Sequence, residues 1–140
     1  AFENIVPPLI DSFGPDCIVT QLGIDTYHSD PLTHLYLSSE GFVSIVRSIK
    51  NIADGLPWIA LGGGGYNLSA VARCWSLAYG LMSDQCLSDQ LPESQGDLLG
   101  TGKLRDVLIP NLPLKVVEAT RKFAETSVEA VKETIFRYHM

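Results

Sequence analysis

Four consecutive glycines, Gly62–Gly65, stand between a short apolar run, Trp58-Ile59-Ala60-Leu61, and a stretch with helical periodicity. Glycine loses more backbone freedom on folding than any other residue. A run of four is therefore costly to order, and it fits where the backbone takes conformations closed to other residues or lets another group come close. That placement narrows the fold to a strand, a tight loop and a helix in succession. The same order occurs once earlier in the chain. Asp16 to Gly23 (DCIVTQLG) is an apolar, β-branched run that predicts a buried strand. An irregular polar segment follows from Ile24 to Leu37. Ser38-Ser39-Glu40 then offers an N-cap and an acidic first turn. Phe42, Ile45, Val46, Ile49 and Ile52 follow at helical spacing. Two such units predict an α/β fold built on a parallel sheet. Ligands in such sheets bind beyond the carboxyl ends of the strands, which places the loops 23–37 and 62–67 on one edge. Because a parallel sheet is buried on both faces, two strands predict part of a larger sheet.

The flanking segments complete the outline. Phe2 to Phe13 has a helical apolar side, with Ile5, Val6, Leu9 and Ile10, that Pro7-Pro8 should kink or shorten. Gly14-Pro15 breaks the chain direction. Asn67 can cap a helix from Leu68 to Met82 whose apolar residues are Leu68, Val71, Ala72, Trp75, Ala78, Tyr79 and Met82. Residues 87–113, rich in proline and glycine, predict a long and mostly irregular connection. A last helix, within 114–140, carries a weak stripe of Val116, Thr120, Phe123, Ser127, Ala130, Val131, Ile135 and Tyr138.

Charge and cysteine content exclude several classes. The net charge of −6 comes entirely from residues 1–46, which hold six acids and no Lys or Arg. Phosphate backbones are bound by clustered basic residues, so no direct nucleic-acid partner is expected. The 140 residues suffice for one domain with a real core. No apolar run reaches the roughly 20 residues of a membrane span, so no membrane partner is expected. The start lacks the basic and apolar regions of a signal peptide, and it lacks an initiator methionine. The expectation is a cytoplasmic protein whose natural chain begins upstream. Cys17, Cys74 and Cys86 form no CxxC pair. Cys17 and Cys74 lie in apolar runs and are expected as buried free thiols in a reducing compartment.

The two loops carry the chemistry. The first, Gln21 to Pro31, holds Asp25, His28 and Asp30, with His34 close behind. Asp and His are common metal ligands, but Asp25 and Asp30 also suit hydrogen-bonded turns, Asp30 before Pro31 in particular. In the second loop, GGGGY lacks the Lys-Ser/Thr of a P-loop and the spacing of GxGxxG. Tyr66 can donate to a developing oxyanion or pack as a half-buried aromatic.

The segment LGIDTYHSDPLTHLYLS, followed after some twenty residues by LGGGGYN and ARCW, resembles the C-terminal half of the histone deacetylase family, and within it the bacterial acetoin-utilisation type. The resemblance spans about Phe2 to Met82. It implies the C-terminal part of a three-layer, parallel-sheet arginase/deacetylase-like α/β fold, with residues 1–86 carrying the site loops. It implies Asp30 as a zinc ligand and Tyr66 as the group that polarises the acyl carbonyl. Gly64 and Gly65 would line a narrow acyl-lysine channel, and Leu37 would form an apolar wall near its mouth. Asp25 would order the loop, His28 and His34 would stay loop residues, and Arg73, Cys74 and Trp75 would pack behind the glycines. The family's His-His pair and Asp-x-His are not in this sequence. The resemblance therefore implies a Zn2+ enzyme that draws two further ligands from the N-terminal remainder of the same polypeptide. It would act on an acylated amine such as acetyl-lysine or acetylpolyamine, and these 140 residues would be inactive alone. Two other readings are open from the residues: a non-catalytic α/β interaction module forming homo-oligomers, and a phosphate-binding domain, against which the lack of a Lys near Gly62–Gly65 argues.

Overall fold

The computed structural model describes residues 1–106 and 111–139. The chain runs α1 (Phe2–Phe13), β1 (Ile18–Gln21), α2 (Ser39–Ile52), β2 (Trp58–Leu61), α3 (Leu68–Met82), α4 (Glu93–Leu99) and α5 (Leu114–Val131). A π-helical turn, Lys132–Phe136, then leads into the short helix α6 (Arg137–His139). The two strands pair in parallel, with Ile18 opposite Trp58 and Gln21 opposite Leu61. The first strand is thus shorter than the run 16–23 predicted from the sequence. Parallel pairing puts both strand ends on one edge, and the two loops leave from there.

The sheet is covered on one face. Ile18, Trp58 and Ala60 pack with Phe42, Val46 and Ile49 of α2 and with Cys74, Leu77 and Ala78 of α3 in a single apolar cluster. On the other face Val19, Ile59 and Leu61 are each more than half exposed. Two-faced burial, expected of a parallel sheet, is absent among the described residues.

Helix α2 follows its predicted register, with Phe42, Val43, Val46 and Ile49 buried. Ser38 caps it by accepting the Gly41 N–H at 3.0 Å. Helix α3 is capped by Asn67, which accepts the Ala70 N–H at 3.0 Å. Its buried face differs from the predicted one: Ala70, Arg73, Cys74, Leu77, Ala78 and Gly80 face inward, while Leu68 and Tyr79 are exposed. The helix is rotated so that Arg73 enters the interior, which an apolar pattern cannot anticipate for a charged side chain.

Two further expectations are corrected. Helix α1 is not shortened at Pro7 and Pro8: it runs on to Phe13 and ends at Gly14, in the left-handed conformation with its N–H on the Ile10 carbonyl. The two prolines remove two backbone donors without ending the helix, and Phe2 and Ile10 still pack against the core. Cys17 is exposed, because it precedes the first paired residue of β1; Cys74 is buried as expected. Within 87–113 the described residues are mostly irregular, as predicted, apart from α4 and a bridge between Gln90 and Lys103. Residues 107–110 of that connection, and Met140 of the last helix, lie outside the described residues. The predicted stripe of α5 stays largely open, with Phe123 exposed, and the one buried residue of that helix is Val128.

Candidate functional site

Backbone hydrogen bonds hold the two strand-end loops against each other. The Leu22 N–H donates to the Leu61 carbonyl at 2.8 Å, and the Ile24 N–H to the Gly64 carbonyl at 2.7 Å. Further along, the Asn67 side-chain amide donates to Ser29 Oγ at 2.8 Å. The loops extend the β1–β2 pairing beyond the sheet, so each is positioned by the other.

Asp30 sits at the centre of this junction and is 6 % exposed. Its Oδ1 accepts the N–H groups of Leu32 at 2.8 Å and Thr33 at 3.2 Å. Its Oδ2 accepts the Tyr66 N–H at 2.9 Å. The turn role read for Asp30 and the joining of the two loops are thus both present in one side chain. Burial acts to raise its pKa, but the backbone N–H groups of Leu32, Tyr66, Thr33 and Asn67 outweigh it and hold the carboxyl below the usual carboxylate range. Among the described residues no Lys, Arg or His is ion-paired with Asp30. A buried carboxylate kept ionised by amides alone is chemically suited to a cation. Among the described residues, however, no group of three or more His, Cys, Asp and Glu could hold a metal. Tyr66, fixed at its backbone by Asp30, is 54 % exposed at the same edge.

The glycines meet a constraint from inside the fold. A Cβ on Gly64 would collide with the Asp25 carboxylate. Gly65 has φ +151°, and a Cβ there would lie 2.7 Å from Val71 Cγ2. Asp25 fills the space that the missing side chain at Gly64 leaves, and its carbonyl accepts the Thr33 hydroxyl. It orders both loops. The Leu37 N–H donates to the Thr26 carbonyl at 2.9 Å. Leu37 lines a cavity of about 380 Å³ with Gly23 and Thr26 that neither Asp30 nor Tyr66 borders. His28 stacks on Tyr27 at 4.2 Å between ring centroids, with its Nε2 buried and without a partner among the described residues. His34 is exposed beside Tyr36.

A second polar cluster lies beneath the loops, and the sequence reading missed it. Arg73 Nη1 donates to Asp106 Oδ1 and to the Leu104 carbonyl, both at 3.2 Å, and Nη2 donates to the Tyr27 hydroxyl at 2.9 Å. The Tyr27 hydroxyl donates to Asp106 Oδ1. Asp106 Oδ2 accepts the Ser39 N–H at 2.6 Å, and the Asp106 N–H donates to Ser39 Oγ at 3.1 Å. The side chains of Arg73 and Asp106 are only 8 % and 3 % exposed. Burial acts to raise the Asp106 pKa, and hydrogen bonds from Tyr27, Ser39 and Arg73 hold it below its usual value. Burial first, and then the bond to Asp106, push Tyr27 up to about 12.

Parallel strands with helices packed on one sheet face and two loops joined beyond the strand ends make an α/β scaffold of the arginase/deacetylase-like class. The family model "Histone deacetylase domain" matches residues 1–82, and the chain belongs to the histone deacetylase family. It is 34 % identical over 134 residues to the putative histone deacetylase 2 of Caenorhabditis elegans, covering 96 % of this chain and 25 % of that protein. It is 34 % identical over 94 residues to histone deacetylase 8 of Xenopus laevis, covering 66 % of this chain and 28 % of that protein. The chain thus spans about a quarter of the length of these relatives. In fold it is similar to the crystal structure of a histone deacetylase homologue from Aquifex aeolicus, with a TM-score of 0.67, 21 % identity, and coverage of 85 % of this chain and 36 % of that one. A homologue crystallised with SAHA matches at a TM-score of 0.61 and 21 % identity, over 84 % of this chain and 38 % of that one.

Proposed function

We propose that this chain is the C-terminal portion of a zinc-dependent deacetylase that hydrolyses N-acyl amides such as acetyl-lysine or acetylpolyamine. The observation that carries this reading is the junction at which the buried carboxylate of Asp30 accepts the backbone N–H of Tyr66. It sets a cation-seeking group and a half-exposed phenol on one edge of the sheet.

Asp30 is the residue of this chain that would hold zinc. Catalytic zinc takes three protein ligands, so the other two come from the remainder of the same polypeptide, and these 140 residues are inactive alone. When bound, zinc supplies Lewis-acid polarisation of the acyl carbonyl and a water of lowered pKa. The protein's own part is positional and electrostatic. The amides of Leu32, Thr33 and Tyr66 fix both oxygens of Asp30, so the ligand pays little reorganisation on metal binding. The Tyr66 hydroxyl donates a hydrogen bond to the acyl oxygen as negative charge builds on it. Because that bond is stronger in the transition state than in the ground state, it accelerates the reaction rather than merely binding substrate. Gly64 and Gly65 let the loop backbone, without side chains, border the acyl-amine path.

The test uses the full-length protein and an acetyl-lysine reporter. The full-length protein should release acetate, and Asp30→Asn should lose bound zinc and turnover together. A variant that keeps its zinc would overturn the ligand assignment, and an inert, zinc-free parent would overturn the function.

A further inference from the structure

The Arg73–Asp106–Tyr27 cluster has no part in the chemistry just proposed, yet it joins the first loop, the start of α2, helix α3 and the segment that carries Asp106. Tyr27 belongs to the first loop, and its carbonyl accepts the Asp30 N–H at 2.9 Å. Ser39 opens α2 at the far end of that loop, where Tyr27 and Leu37 are bridged. Arg73 lies on α3, the helix that continues from the loop holding Tyr66. Asp106 comes from 79 residues beyond Tyr27 and reaches all three.

Stability alone does not account for such a cluster. Arg and Asp are almost never fully buried unless paired, and apolar residues of similar volume often serve a core as well as a buried ion pair does. What the ion pair adds is direction. The planar guanidinium fork fixes the angles of its partners, and each of those partners is tied to a different loop or helix end. We infer that Arg73, Asp106 and Tyr27 form a positioning clamp that fixes the Asp30 loop relative to the Tyr66 loop. Asp106 then works in the site although it hydrogen-bonds to neither residue. The inference rests on the roles assigned above to Asp30 and Tyr66.

Tyr27→Phe keeps the ring and removes only the hydroxyl that joins Arg73 and Asp106 to the loop. The test is amide hydrogen exchange on the metal-free full-length protein, together with zinc affinity by chelator competition. In Tyr27→Phe, the Leu32, Thr33 and Tyr66 amides should exchange about tenfold faster, while the amides of α2 keep their parental rates. Zinc affinity should fall by about 10- to 100-fold, as when a partner supporting a metal ligand is removed. Asp106→Asn, which keeps the shape and removes the charge, should show the same local pattern. Lys50→Ala removes a contact at the distant end of α3 and should leave the three amides unchanged. Parental exchange at those amides in Tyr27→Phe would overturn the clamp. So would acceleration spread evenly over α2 and the sheet, the mark of a merely structural role. If the three amides respond but the parent binds no zinc, the clamp stands and the zinc assignment falls. If the parent binds zinc and turns over but the amides do not respond, the clamp falls and the assignment stands.

Discussion

A single methyl group distinguishes the glycines of the 62–65 run. Gly64→Ala drives a Cβ into the Asp25 carboxylate. Overpacking of that kind costs about 1–3 kcal/mol. At Gly62 the nearest atom to an added Cβ is Trp75 Cζ2, at 3.8 Å. Gly62→Ala should therefore stay within about 0.5 kcal/mol of the parent. Denaturant midpoints for the two variants check this, and equal shifts would contradict the account. The buried polar groups set the pH limits. Asp106 has a depressed pKa, so its stabilisation is complete above the unfolded value of about 3.9 and is lost as pH falls through the folded one. Tyr27 is raised from 10.0 to about 12, so its neutral hydroxyl stabilises the fold below pH 10.0, and that contribution disappears as pH rises toward about 12. Cys74, pushed to about 12 chiefly by burial, contributes to the same alkaline loss from its ordinary 9.0 upward. Tyr27→Phe should flatten the alkaline fall of the melting temperature in part, leaving the portion due to Cys74. An unchanged alkaline slope in that variant would refute the assignment. Asp30 and Tyr66 are singled out by the resemblance of their two loops to the histone deacetylase family; from the residues alone a hydrogen-bonded turn at Asp30 and packing at Tyr66 stay open. Tyr27 and Asp106 are not singled out, since their partnership spans 79 residues and nothing local marks it.

Among the elements, helix caps were the most legible feature. Ser38 and Asn67 each accept the N–H three residues on, as their types and positions predicted. Ser38→Ala should cost about 1 kcal/mol, measured as a shift in the denaturant midpoint; an unmoved midpoint would contradict the role of the cap. Helix faces were read less well. In α2 the apolar residues alone fix the inward side. In α3 the buried Arg73 turns the helix away from its most apolar stripe and leaves Leu68 and Tyr79 outside. Helix α1 tolerates Pro7 and Pro8 because its contacts with the core come from Phe2 and Ile10, on either side of them. Helix α5 packs through Val128 rather than along its predicted stripe.

For the whole molecule, the open sheet face fits the proposal that the rest of the site lies in the remainder of the polypeptide. Val19, Ile59 and Leu61 stay uncovered, and among the described residues no group of three or more His, Cys, Asp and Glu could hold a metal. The chain meanwhile covers 25 % of the Caenorhabditis elegans relative. The central claim is that Asp30 and Tyr66 are the metal-binding and oxyanion-stabilising parts of one deacetylase site. It is tested most directly by turnover of an acetyl-lysine reporter per bound zinc in the full-length Tyr66→Phe protein. The account predicts parental zinc content and a rate lower by about 10²–10³. Parental turnover per zinc in that variant would contradict it.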